Sequence, residues 1–196
     1  TVGAPPYESY YFGGARIDEF RAGGSHDVAA VMNTEQPDIV ALHTGTNDVN
    51  SQPGPYGPWS NDHSNPNSNA SGKLGALVKY LLEWHNGGNG TALDRVVLSR
   101  IIPIQGRESD IASFNREVVK IVLDFRNGAV TGSPEPVYLA DHYRRFISNP
   151  DVYGNLMSDN LHPNNAGYQE MESVYFETVN EATNEVTSPD PVGDLA

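Results

Sequence analysis

Apolar residues along this chain follow two rhythms. Short unbroken runs occur at 38–44 (Asp-Ile-Val-Ala-Leu-His-Thr), 95–102 (Arg-Val-Val-Leu-Ser-Arg-Ile-Ile) and 137–141 (Val-Tyr-Leu-Ala-Asp). The first is entered through Pro37 and stopped by Gly45, and the second ends at Pro103. Runs of this length without alternation predict strands of a parallel sheet covered on both faces. Between them the spacing turns helical. Leu74, Leu77, Val78, Leu81 and Leu82 form one stripe, stopped at Gly87-Gly88. Ile111, Phe114, Val118, Ile121, Val122 and Phe125 form a second, with Ser109 as N-cap and Gly128 as stop. Tyr168, Met171, Val174, Tyr175 and Val179 form a third, with Pro163 near its first turn. A shorter helix over 26–33 is capped by Ser25. Strand–helix–strand–helix–strand–helix is the order of a doubly wound α/β domain. It occupies 1–183, and the Pro- and Asp-containing stretch 184–196 reads as a linker or tail.

Composition narrows the partners. With 25 acidic against 12 basic residues the net charge is −13, which excludes nucleic acid and an anionic membrane surface as partners. A neutral substrate such as polysaccharide is compatible. No apolar run is long enough to span a membrane. The chain has no cysteine, hence no disulfide framework and no thiolate metal site. Few lysines and many Asn, Thr and Gly argue for a secreted protein. Residues 50–71 are rich in Pro, Gly, Asn and Ser, with Tyr56 and Trp59 as the large apolar side chains. A long loop at the carboxyl end of a parallel strand is where ligands bind. Tyr56 and Trp59 are therefore candidate substrate-binding residues, able to stack on sugar rings.

Two short motifs carry the candidate chemistry. Asp159-x-x-His162 places a carboxylate three residues before a histidine. Histidine titrates near neutrality and can take a proton from a hydroxyl, while a carboxylate on its other ring nitrogen fixes the tautomer. The bland alternative is a helix-capping histidine ahead of Pro163. Gly45-Thr46-Asn47-Asp48 closes the first apolar run. It reads either as a glycine turn with an Asx motif or as a donor site in which the Asn47 amide stabilises a developing oxyanion. Such donors contribute roughly 3–4 kcal/mol in acyl transfer. Asp48 is expected to hold the turn, and His43 to be a satisfied core residue. Ser25, Ser99 and Ser158 do not sit at nucleophile-type turns.

Gly45-Thr46-Asn47-Asp48 after Pro37-Asp38-Ile39-Val40, with Asp159-Asn160-Leu161-His162-Pro163-Asn164 far downstream, resembles the SGNH (GDSL-like) hydrolase superfamily. Gly14-Ala15-Arg16-Ile17-Asp18 is similar to that family's second block. The resemblance runs from Gly13 to about residue 180 and lies nearest to secreted carbohydrate esterases of the acetyl-xylan esterase type. It implies a three-layer αβα fold with a parallel, flavodoxin-like sheet. It also implies a serine esterase that needs no cofactor, with His162 as base, Asp159 as orienting acid, and Asn47 with Gly14 as oxyanion donors. The implied substrate is an acylated carbohydrate or a small ester.

The family's Gly-Asp-Ser nucleophile block does not occur in this sequence. The resemblance therefore implies that the first strand, its helix and the second strand lie outside this chain, supplied by a second polypeptide or by a longer chain. A catalytically inactive sugar-binding domain is the alternative from another class. A lipid or aryl esterase is the alternative on the same fold, disfavoured by the polar loop.

Overall fold

Three parallel strands form at the three apolar runs. The computed structural model describes residues 9–52, 54–59, 69–86 and 93–185. In it β1 (Ile39–Leu42), β2 (Arg95–Ser99) and β3 (Val137–Ala140) lie in the order β1-β2-β3. Ile39 pairs with Arg95 and Leu42 with Leu98, while Val96 pairs with Val137 and Ser99 with Ala140. The strands are shorter than the apolar runs. Beyond β2 the chain leaves the sheet, yet Ile101, Ile102 and Ile104 remain buried. The Asn115 side chain holds this extension, accepting from Ile101 N and donating to Ile101 O, both at 2.8 Å. That bracket occupies backbone groups that no strand pairs.

Helices cover both faces of β2 and β3, which explains why these strands are apolar without alternation. On one side Val96, Leu98 and Val137 join a core formed with α3 (Ala70–Asn86) and α4 (Glu108–Arg126). All five apolar stripe positions of α3 and all six of α4 are buried. On the other side Val97 and Ala140 meet Val174 of α7 (Asn165–Glu185), with Ile39, Tyr138, Tyr175 and Val179 around them. The layers are helix, sheet and helix. Short helices complete the order: α1 (Ala29–Glu35), α2 (Thr46–Ser51), α5 (His142–Ile147) and α6 (Val152–Asn155), with a 3-10 turn at Ile17–Phe20. Among the described residues β1 is an edge strand, and Ala41 on it is exposed.

Several local expectations are corrected. Ser25 does not cap α1. Its hydroxyl donates to Glu19 at 2.9 Å, and Asp27 Oδ1 accepts from Ala29 N at 2.9 Å. Ser109 lies inside α4, which begins one residue earlier. Tyr168 is 54% exposed and leaves the α7 stripe to Gly167, while Asn164 accepts from Gly167 N at 3.1 Å and caps the helix. Helices α2, α5 and α6 are too short for an apolar period to reveal. Gly87-Gly88 and residues 186–196, most of the expected linker, lie outside the described residues.

Tyr56 and Trp59 are also corrected. They are 4% and 2% exposed, within the same core as α3 and α4. Trp59 Nε1 donates to Asp124 at 2.8 Å, its backbone N to Glu117 at 2.7 Å, and its carbonyl accepts from Lys120 at 2.9 Å. Its ring fills the space over Gly75, where any side chain would collide with it. Stacking on a ligand needs a free aromatic face. These two faces are used to fasten the loop to the body.

Candidate active site

The motif at the end of β1 folds into a tight turn and a helix start. Gly45 has φ +108, and a Cβ there would sit 2.6 Å from the Phe114 ring. Only glycine satisfies both the left-handed backbone and the packing. The turn feeds α2, so Asn47 and Asp48 occupy its first turn at the carboxyl end of β1. From there both reach the segment 14–17. Asn47 Nδ2 donates to Ala15 O at 3.0 Å, and Asp48 Oδ2 accepts from Ile17 N at 3.0 Å. Gly14 has φ +80, and Ala15 N donates back to Phe12 O at 3.2 Å. The structure thus brings Gly14 and Asn47 to neighbouring positions, through Ala15.

Asp48 is 4% exposed. Burial raises its carboxyl above the ordinary value, opposed by the Ile17 amide and by Lys73. The Lys73 ammonium, carried on α3, lies 4.0 Å from Asp48 and 3.3 Å from Asp18. A buried carboxylate is retained only when its oxygens are matched in this way. The expectation that Asp48 holds the turn agrees with these contacts.

Asp159 and His162 meet in a closed turn. His162 Nδ1 lies 2.8 Å from Asp159 Oδ2, while Asp159 Oδ1 accepts from Leu161 N and His162 N, each at 2.7 Å. The His162 side-chain bond, then the two amides, hold the Asp159 carboxyl at about 2. Ser158 seals the turn, its N–H and hydroxyl donating to His162 O at 2.8 and 3.0 Å. Met157 bridges Pro163 across its base. Both side chains of the pair are 55% exposed. Gln105 N donates to Asn160 O at 3.0 Å, tying this turn to the segment that leaves the carboxyl end of β2. Leu161 packs on the core that contains Ile17, Val49 and Ile104. Both motifs are therefore anchored on the carboxyl side of the sheet, where parallel strands present ligand sites.

Arg107, at the foot of α4, belongs to neither motif. Its guanidinium donates to Val49 O at 2.5 Å, Asn50 O at 3.1 Å, Gln52 O at 3.1 Å and the Tyr56 hydroxyl at 2.7 Å, and it pairs with Asp110 at 2.7 Å. It gathers the carbonyls at the end of the helix that carries Asn47. An arginine at the end of an apolar run gives no periodic signal.

A second histidine cluster joins the end of β1 to the start of α5. His43 is not a satisfied core residue: its Nε2 is buried with no hydrogen-bond partner, as is Nδ1 of His142. The two rings meet edge-on at 5.6 Å, and His142 meets Tyr175 edge-on at 4.5 Å. Burial, then the neighbouring His142, lowers His43 to about 3. Burial also lowers His142 to about 4, with Arg145 adding to it against a bond to Met171 O. Neither histidine is protonated at neutral pH. Among the described residues no group of three His, Asp or Glu side chains is placed to hold a metal ion.

The family model for GDSL-like Lipase/Acylhydrolase matches residues 6–173. Among solved structures, an acetyl esterase mutant with acetate ion is similar at 21% identity and a TM-score of 0.60, over 88% of this chain and 70% of that one. A carbohydrate esterase family 3 protein from Talaromyces cellulolyticus is similar at 21% identity and a TM-score of 0.59, over 87% and 70%. A family 3 carbohydrate esterase from Clostridium thermocellum is similar at 17% and a TM-score of 0.60, over 88% and 69%. At these identities the likeness is one of fold. No curated protein matches.

Proposed function

The chain belongs to the GDSL-like lipase/acylhydrolase family, a family of carboxylic ester hydrolases, and from that premise we propose that it removes acetyl groups from a carbohydrate by a Ser-His-Asp mechanism. The observation that carries the reading is the exposed 2.8 Å contact between Asp159 Oδ2 and His162 Nδ1. A carboxylate on Nδ1 leaves Nε2 to act as base toward a hydroxyl. The serine attacks the ester carbonyl as His162 Nε2 takes its proton. The oxyanion forms against Gly14 N–H and the Asn47 amide. That amide carries two hydrogens, and the one held by Ala15 O orients the other. His162 then returns its proton to the departing sugar oxygen, and water releases acetate by the same two steps. No cofactor enters the scheme.

The nucleophilic serine belongs, in this reading, to a strand that pairs with the edge of β1 left open among the described residues, on this polypeptide or a second one. Unpaired strand edges accept such partners. The similarity to an acetyl esterase and to carbohydrate esterases, together with the net charge of −13, supports a neutral acetylated sugar over a long acyl chain or an anion. An extracellular setting suits a polysaccharide. The inactive sugar-binding alternative rested on Tyr56 and Trp59, and their burial removes that support.

Fluorophosphonate labelling of the purified protein, read by intact mass, tests the reading. An adduct is expected, and the mass of the labelled species identifies the polypeptide that carries the serine. Folded protein that takes no label, in a preparation that contains the strand pairing with β1, would sink the Ser-His-Asp reading.

A further inference from the structure

Resting on that reading, we infer that Tyr11 is the substrate-stacking residue of this site, a platform for a neutral sugar ring beside the oxyanion loop. Exposed aromatic side chains are common, and exposure alone identifies nothing. The case is made by what holds Tyr11 there and what it lies against.

Its two neighbours are fastened. Phe12 turns inward, stacking on His26 at 4.5 Å and meeting Phe20 edge-on at 5.7 Å. The Tyr10 hydroxyl donates to Glu35 at the end of α1 at 2.6 Å. Between them Tyr11 is 81% exposed. Its ring does not stand free of the chain. It lies across Gly13, with Oη 3.3 Å, Cε1 3.4 Å and Cζ 3.6 Å from the point a Gly13 Cβ would occupy. A residue with a side chain at 13 would crowd the ring from that seat.

Gly13 begins the turn that contains Gly14, closed by Ala15 N to Phe12 O. Ala15 O in turn holds the Asn47 amide. One five-residue segment, 11–15, thus carries the ring, the Gly14 amide and the acceptor that positions Asn47. In this reading the sugar of a substrate whose ester is held at Gly14 and Asn47 lies against the Tyr11 ring. Tyrosine is suited to this contact. It offers a flat apolar face to the C–H side of a pyranose and a hydroxyl to its oxygens, and it immobilises few torsions. The surroundings also select for a neutral ring. Glu19 and Glu35 lie against the segment, Asp18 being paired with Lys73, and the two glutamates disfavour an anionic sugar.

Isothermal titration calorimetry with xylohexaose tests this without any acyl chemistry. Wild-type protein is expected to bind it, Tyr11→Ala to bind about tenfold more weakly, and Tyr11→Phe within about threefold of wild type. Thermal midpoints of both variants verify that each is folded. Equal affinity in wild type and Tyr11→Ala, or no binding by folded wild type, overturns the inference. In preparations shown to take the fluorophosphonate label, Tyr11→Ala should raise KM for acetylated xylan more than it lowers kcat. A fall confined to kcat makes Tyr11 a support of the Gly13–Gly14 turn and also overturns it. The labelling separates the two readings: an adduct with sugar binding indifferent to Tyr11 rejects the platform alone, and Tyr11-dependent binding without an adduct rejects the esterase alone.

Discussion

The Asp159–His162 turn and the His43–His142 pair place the same side chain in opposite settings. His162 is half in solvent, with a carboxylate on one ring nitrogen and two backbone amides steadying that carboxylate. His142 is wholly buried, meets the Met171 carbonyl and two rings, and has one nitrogen without a partner. A carboxylate stabilises the imidazolium that proton transfer creates, whereas burial without a counter-charge forbids it. The second histidine is therefore held neutral, while the first has a carboxylate in place beside its ring. Proximity of His43 to the end of β1 does not make it chemical; the partner on the ring nitrogen is what matters.

The largest expected consequence of that contrast is kinetic. In protein that takes a fluorophosphonate label, His162→Ala should lower kcat/KM for a soluble acetyl ester by roughly 10⁴-fold or more. Hydrolysis near the wild-type rate would remove His162 from the mechanism. Asp159→Asn keeps the shape and removes the charge. Because the tautomer and the imidazolium both depend on that oxygen, kcat should fall by roughly 10²–10⁴-fold. A loss of stability with kcat intact would make the pair a structural turn.

The buried pair sharpens the comparison through pH. An unfolded histidine takes up its proton near 6.5, but His43 and His142 in the fold do so only at about 3 and about 4. Below pH 6.5 the unfolded state holds more protons, so the stability present above that pH is lost as pH falls. The slope is about 1.4 kcal/mol per pH unit for each site. Between pH 7 and 5 the pair should cost roughly 4 kcal/mol, a drop of about 8–16 °C in Tm. His142→Phe should remove about half of that drop, and an unchanged pH dependence would show that the cluster opens to water. Measuring only to pH 5 keeps Asp159 charged, because its carboxyl sits at about 2.

Apolar rhythm made most of this fold legible. Every stripe position of α3 and α4 is buried because α4 faces the sheet and α3 packs on α4 and on the turn at Ile17–Phe20, each through four or more helical turns. The third stripe failed at Tyr168, where Gly167 takes the inward position against Leu156 and Pro163. The pairing of Asp159 with His162 was legible because both partners lie within one turn of chain. Tyr56 and Trp59 mislead because they lie in a polar stretch that reads as exposed throughout. The burial of Trp59 depends on Gly75, Glu117 and Asp124, 16 to 65 residues away, and the Tyr56 hydroxyl meets Arg107, 51 residues away, contacts that no local pattern reports. Tyr11 was overlooked for the converse reason. Its neighbours Tyr10 and Phe12 are also aromatic, and only the fold separates the fastened rings from the presented one.

Arg107 has a consequence for how this protein tolerates change. Four acceptors converge on one planar cation, and a lysine ammonium offers no matching fork. The span from Asn50 to Tyr56 is thereby moored to the foot of α4 at the point where the helix carrying Asn47 ends. A side chain rooted in one helix closes the end of another, so a change at position 107 is felt at position 47 although the two lie 60 residues apart in sequence. The guanidinium acts as a keystone, and a lysine in its place would leave carbonyls without a donor.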